Sequence, residues 1–233
     1  MWVKCPACNK NCCNECDNGA YCISCGYYRS DDTVSYKKPI DSDYAISSIE
    51  LCSFALAPRE IKDYGFSRLP KRVMIAEALW APALSNGIVF PIYIKEQLVC
   101  INVKLVGGRY KTYGNRKNNI YRFERFKNSK FIVLTEGPFD ALSTPHGVAS
   151  FGIGISDAQL KLLSNFKGNL LIAFDSDKMG SKFAFDLQKR LKEKGKQSCV
   201  LQLPKDKDPN DLGYSFMSGL IYERLGGTLC KIL

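Results

Sequence analysis

The sequence predicts an α/β protein, a mainly parallel sheet preceded by an α+β subdomain, with a small cysteine-rich unit ahead of both. Three observations lead there. From about residue 129 short apolar runs alternate with amphipathic stretches of helical period, and seven of the eleven cysteines crowd between Cys5 and Cys25. Between these regions, SDDTVSYKKPIDSD (30–43) is polar and charged with hardly any apolar periodicity. The division that follows is 1–29 for the cysteine unit, 30–43 for a linker, 44–128 for the α+β subdomain and 129–233 for the parallel-sheet domain.

From about Tyr44 the pattern is helical through AISSIELCSFAL and then PREIKDYGF. GIVFPIYI and LVCINVKLV read as two strands joined at Lys95 to Gln97, and GGRYKTYG supplies a turn and a further short strand. The remainder alternates: FIVLT, a helix from about Pro138, the short VASFG, a helix near Asp157 to Asn165, LLIAFD, a helix from Gly180 to Lys194, and SCVLQL. Such alternation is the signature of right-handed βαβ units.

Bulk properties narrow the function. There are 33 Lys and Arg against 23 Asp and Glu, a net charge of +10, which favours a polyanionic partner because phosphate contacts supply most non-specific nucleic-acid affinity. No run of 18 or more apolar residues is present to span a bilayer, so no membrane association is expected. The opening MWVKCPACNK lacks the apolar segment of a secretory signal, and the expected compartment is cytoplasmic.

Cys5 and Cys8 form one C-x-x-C pair and Cys22 and Cys25 another, far enough apart for a β-hairpin to bring both around one tetrahedral zinc ion. A unit this small cannot bury enough surface to fold alone, whereas structural zinc contributes on the order of 10 to 16 kcal/mol in comparable peptides. Cys13 and Cys16 form a third such pair with Cys12 beside it, so the choice of ligands is not unique. With no His nearby, the site is expected to be all-thiolate, closed and structural. The other four cysteines, Cys52, Cys100, Cys199 and Cys230, lie in apolar surroundings like ordinary core residues.

Three acidic motifs fall where the carboxyl ends of a parallel sheet present ligands: TEGPFDAL (135–142), AFDSDKMGSKFA (173–184) and KDKDPNDL (205–212). Glu136 ends a strand, and Asp175 and Asp177 flank Ser176 after the next. Carboxylates converging there repel one another unless a cation neutralises them, and hard oxygens with no nearby His or Cys suit Mg²⁺ or Mn²⁺. Each acid alone is also what a helix N-terminus selects as a cap. Three in order at this spacing favour the cation.

These motifs carry a resemblance. TEGPFDAL, FDSDKMG and KDPND together resemble the Toprim fold shared by primases, topoisomerases and some nucleases, and the EGxxDAL wording is most similar to the primases. CPAC with CISCG resembles the template-reading zinc ribbon of bacterial replicative primases and of the primase half of phage primase-helicases. GIVFPIYIKEQLVCINVKL resembles the segment that precedes the Toprim domain in that family and helps bind nucleotide.

The resemblance implies a DNA primase, making short RNA primers on single-stranded DNA from nucleoside triphosphates by metal-dependent nucleotidyl transfer. It makes Glu136 the first-strand glutamate, Asp175 and Asp177 the DxD pair, Asp140 a supporting acid and Asp208, with Lys207, the third motif. Met179 stands where the family usually has Ala, and Asn210 where bacterial primases carry an acid. Lys104, Arg109, Lys111, Arg116 and Lys117, interleaved with Tyr110 and Tyr113, are then the candidates to meet triphosphate and template. Arg122, Arg125 and Lys127 read as surface charge and His146 as a loop residue. No P-loop motif occurs, so a separate replicative helicase is the expected partner, and the compact layout suggests a phage or mobile element. Two other readings stay open: a Toprim nuclease, and a non-catalytic zinc and Toprim DNA-binding module like the recombination mediators, in which a helix-hairpin-helix normally precedes the zinc.

Overall fold

FIVLT is apolar at its first four positions, as a strand covered on both faces requires, and ends on Thr135. In the computed structural model it is β11 (Phe131–Thr135), and all five of its residues are buried. The structure describes residues 49–84, 86–152 and 154–226, and before them only five short strands. The chain divides into two compact units, Met1–Ser48 and Ile49–Leu233.

In the first unit, β1 (Trp2–Lys4), β2 (Asn11–Cys16), β3 (Gly19–Cys22), β4 (Tyr28–Ser30) and β5 (Thr33–Ser35) form one antiparallel sheet in chain order. The register sets Cys13 opposite Cys22. Of the expected zinc ligands, Cys5, Cys8 and Cys25 lie outside the described residues, and Cys22 ends β3. Strand β5 falls within the stretch read from composition as a linker.

The second unit holds two sheets. The antiparallel one has the order β10-β9-β8-β7-β6, from β6 (Cys52–Ser53), β7 (Leu79–Trp80), β8 (Gly87–Ile94), β9 (Gln97–Leu105) and β10 (Tyr110–Gly114). The β8–β9 hairpin turns on Lys95 and Glu96, both at positive φ (47° and 67°), the pair of left-handed residues that matches strand twist in a tight hairpin. Helices α1 (Arg59–Arg68) and α2 (Lys71–Glu77) precede this hairpin. The expected helix through AISSIELCSFAL is corrected in its described part. Cys52 and Ser53 pair with Trp80 and Leu79, and Phe54–Leu56 make one 3₁₀ turn capped by Ser53 Oγ. Edge pairing and full burial of Phe54 beside a largely exposed Leu56 override a helical reading.

The parallel sheet has the order β12-β11-β13-β14, from β11 (Phe131–Thr135), β12 (Gly147–Ala149), β13 (Asn169–Ile172) and β14 (Ser198–Val200). After the short α3 (Phe123–Phe126) come α4 (Pro138–Leu142), α5 (Asp157–Asn165), α6 (Lys178–Glu193) and α7 (Pro209–Arg224). Side chains alternate across the sheet as the pleat dictates. Ile132, Leu134, Leu170 and Ile172 pack on Leu160 and Leu163 of α5 and Leu187 and Leu191 of α6. Phe131, Val133 and Leu171 pack on Met217 and Ile221 of α7. Phe139, Ala141 and Leu142 of α4 share a third core with Phe54, Ile61, Ile88 and Phe90, which fastens the two sheets together. Among the described residues no helix is long and apolar enough to cross a membrane.

Candidate active site

The tip of β11 makes the first part of the site. Glu136 follows Thr135, and Gly137 starts α4, donating its N–H to Asp140 Oδ2 at 3.0 Å. A Cβ at Gly137 would stand 2.8 Å from that same oxygen, so the carboxyl can fold back only over glycine. Asp140 is thereby buried, and it also accepts from the Asn210 N–H. Burial, then Asp208 and Asp175, hold its pKa well above the usual carboxylate range.

Glu136 Oε1 accepts from the Asp175 N–H at 3.2 Å, across from β11 to the end of β13. Gly180, in the first turn of α6, lets this pair form: a Cβ there would lie 2.2 Å from the Asp175 carbonyl oxygen and 3.0 Å from Glu136 Oε1. Burial first, then the charges of Asp175, Asp177 and Asp208, push the Glu136 carboxyl up to about 7. Burial and Asp208, Asp177 and Asp211 push Asp175 to about 6. Asp175 Oδ1 is buried with no hydrogen-bond partner, a costly position for an oxygen unless something else meets it.

Two of the expected acids also serve as helix caps. Asp177 is exposed and accepts from the Gly180 N–H at 2.6 Å, capping α6; Asp208 accepts from the Asp211 N–H at 2.6 Å, capping α7. Ser176 ties their loops together, its Oγ donating to the Lys207 carbonyl at 2.9 Å and accepting from the Lys207 N–H at 2.7 Å. Glu136, Asp140, Asp175 and Asp208 line one cavity of about 410 Å³, while Asp177 is outside its lining. Among the described residues no three His, Cys, Asp or Glu side chains are grouped closely enough to hold an ion by themselves.

Cations stand in the same cavity. Lys104 donates to the Gly108 carbonyl at 2.8 Å and lies over the Tyr110 ring, 4.8 Å from its centroid; Arg116 donates to the Phe151 carbonyl at 2.6 Å. Burial and neighbouring Arg68 lower the pKa of Lys104. Arg109, Lys111 and Lys117 are exposed and not part of the lining, and Tyr113 packs against the core of Ala81, Val89 and Val103.

Sequence reasoning missed Arg68, Tyr64 and Asn102, which also line the cavity. Arg68 and Tyr64 belong to α1, and nothing local distinguishes them from other polar residues of a surface helix. Asn102 did leave a signal, a polar residue within an apolar strand; it is buried and donates to Thr112 Oγ1 at 2.9 Å. The reading of Arg122 as surface charge is corrected. Its side chain is 12% exposed, donates to the Ala141 and Gly147 carbonyls and pairs with Glu77 at 3.5 Å, on a left-handed backbone (φ 61°). Arg125 also reaches Glu77, at 2.7 Å, from a more exposed position. His146 lies in the loop after α4, stacked between Phe126 and Phe131.

Residues 133–213 match the Toprim-like family. Among curated proteins, the chain is 27% identical over 171 residues to a DNA primase of Thermotoga maritima, covering 56% of this chain and 30% of that protein. It is also 27% identical over 107 residues to a DNA primase of Listeria innocua, covering 42% and 17%. The chain thus spans less than a third of the curated relatives it matches. Among solved structures, the primase fragment of the bacteriophage T7 primase-helicase superposes with a TM-score of 0.59 at 17% identity, covering 97% of this chain and 98% of that one. The zinc-binding and RNA polymerase domains of the Aquifex aeolicus primase give 0.53 at 20% identity, covering 84% and 60%. The fold is that of these primase fragments.

Proposed function

We propose that this chain, a Toprim-like domain on a primase-like fold, is a DNA primase that joins nucleoside triphosphates into short RNA primers on single-stranded DNA. One observation carries the reading: a single cavity holds four carboxylates and three cations, Arg68, Lys104 and Arg116. Carboxylates alone would suit a resident ion, and cations alone an anion. The two together suit a metal that arrives with a triphosphate, since Mg²⁺ is typically held by one or two carboxylates plus substrate phosphates.

The donor set fits such an ion. Asp175 Oδ1 is buried without a partner, Glu136 lies beside it, and every available donor is a hard oxygen. Glu136 and Asp175 are therefore assigned as the magnesium-holding side chains, with Asp208 nearby and Asp177 setting the start of α6 against them. When bound, Mg²⁺ supplies charge neutralisation at the reacting phosphate. The chain's own residues do the rest. Lys104, Arg116 and Arg68 hold phosphate oxygens, Tyr110 and Tyr64 offer faces to nucleotide rings, and Asp140 fixes the turn that carries Glu136. Exposed Arg109, Lys111 and Lys117 lie just before β10, on it and just after it, where they are suited to the template's phosphates rather than to the triphosphate.

The spacing of Cys5, Cys8, Cys22 and Cys25 supports a structural zinc ion in the first unit, which we assign to template reading. A separate helicase partner, a cytoplasmic location and a phage or mobile-element origin belong to the same proposal. The test is to incubate the protein with single-stranded DNA, labelled ribonucleotides and Mg²⁺ and to separate the products by size. Short template-dependent oligomers are expected. Cleavage of the DNA in place of synthesis would favour the nuclease reading, and DNA binding with neither activity the binding module.

A further inference from the structure

Asn210 occupies the first turn of α7, one residue after the buried Pro209. Its side chain and Arg68 exchange two hydrogen bonds across 142 positions of sequence. The Arg68 Nε–H donates to Asn210 Oδ1 at 2.8 Å, and Asn210 Nδ2 donates back to the Arg68 carbonyl at 2.9 Å. Asn210 Nδ2 also donates to Ser143 Oγ at 2.8 Å, and Ser143 is buried at the end of α4. The guanidinium then lies against the Phe139 ring, 5.3 Å from its centroid, at the wall of the acid-lined cavity. Among the described residues no Asp or Glu oxygen pairs with Arg68.

The chemistry of the latch matters because of what it omits. A carboxylate at position 210 would hold the same Nε–H but would neutralise the guanidinium. It would also place a further acid beside the buried Asp140, which already accepts from the Asn210 main chain. A carboxamide supplies the geometry without the charge, and it supplies a donor for the Arg68 carbonyl and Ser143 that a carboxylate lacks.

Resting on the reading above, we propose that Asn210 is a positioning residue: it aims Arg68 into the cavity and leaves its full positive charge for the phosphates of the incoming nucleotide. Substrate touches Arg68, and Asn210 acts through it.

The test is steady-state primer synthesis on single-stranded DNA with Mg²⁺, reading KM for the ribonucleoside triphosphate and kcat separately, with thermal melting as a folding control. Asn210→Asp keeps the size of the side chain and should raise KM about tenfold with kcat within about twofold, the loss of one charge-assisted contact. In an Arg68→Ala background the same change should move KM by less than about twofold, since the coupling vanishes with its target. Asn210→Ala should also raise KM. An unchanged KM in Asn210→Asp, or an equal rise with and without Arg68, would overturn the proposal. If wild type makes no oligomers, the primase reading has failed, and the latch is then tested by binding of a fluorescent triphosphate with Mg²⁺. Equal affinity in wild type and Asn210→Asp overturns it there too.

Discussion

The main chain of Asp175 donates to the side chain of Glu136 at 3.2 Å, so the two acids at the tips of neighbouring parallel strands are held by a bond that needs Glu136 to accept. A carbonyl oxygen can replace the carboxylate in that bond, but it cannot replace its charge. Glu136→Gln should therefore melt at or above the wild-type temperature in metal-free buffer, because one of several repelling carboxylates is gone. A drop of more than about 3 °C, roughly 1 kcal/mol in a chain of this size, would show that the charge is structural instead.

Gly180 permits the same pairing from the side of α6. Gly180→Ala places a Cβ 2.2 Å from the Asp175 carbonyl oxygen, and backbone cannot yield as a flexible side chain can. The expected cost is about 1–3 kcal/mol of stability together with loss of most nucleotidyl transfer, measured by denaturant unfolding and by primer synthesis. Full activity in a stable variant would mean that the close approach of α6 is dispensable.

Lys104 and Lys111 are seven positions apart on paired strands, yet only Lys104 lines the cavity. Lys104→Ala should raise KM for triphosphate about tenfold or more, as loss of a charged hydrogen bond to phosphate does, while Lys111→Ala leaves nucleotide KM within about threefold. Equal effects would place the triphosphate outside the cavity.

Arg122 should matter to folding and not to chemistry. It is largely buried, and Arg122→Ala strips Glu77 of one partner and removes a donor from two carbonyls. Destabilisation of about 3 kcal/mol is expected, with activity per folded molecule retained at low temperature.

Burial pushes the Cys100 thiol up to about 12, against an ordinary 9.0. The folded form therefore keeps a proton that the unfolded chain loses, and this group's contribution to stability is intact below pH 9 and declines between pH 9 and 12. At pH 8 iodoacetamide should leave Cys100 unmodified in native protein and modify it after denaturation, as read by peptide mass spectrometry. Rapid native labelling would contradict the packing of β9.

The parallel sheet was legible because its strands are continuous apolar runs and its helices carry strong local signals: Ser156 with Gln159 caps α5 as a reciprocal pair, and Ala184, Leu187 and Leu191 repeat at helical spacing. Helix α7 carries no such signal. Gly213 at positive φ interrupts it, and its buried stripe is reduced to Met217 and Ile221 after Pro209. The short strands β6 and β7 are equally silent, since two residues carry no period. Within the site, the acids could be read from their places after apolar strands. Arg68 could not, because its partner Asn210 is 142 residues away and only the fold brings them together. Asp177 adds a role that spacing does not reveal: besides standing two positions from Asp175, one of its oxygens accepts from the Gly180 N–H at the start of α6.

Nucleotidyl transfer at the acids of this cavity is the proposal on which the other expectations depend. Its most direct test is the rate of ribonucleotide incorporation on single-stranded DNA by wild type and Glu136→Gln at equal folded concentration, over a range of Mg²⁺. Mg²⁺-dependent oligomers are expected from wild type and at least about a hundredfold loss in the variant, the scale on which removing a key electrostatic group acts, with the variant still folded and binding DNA. Undiminished synthesis by Glu136→Gln would contradict it.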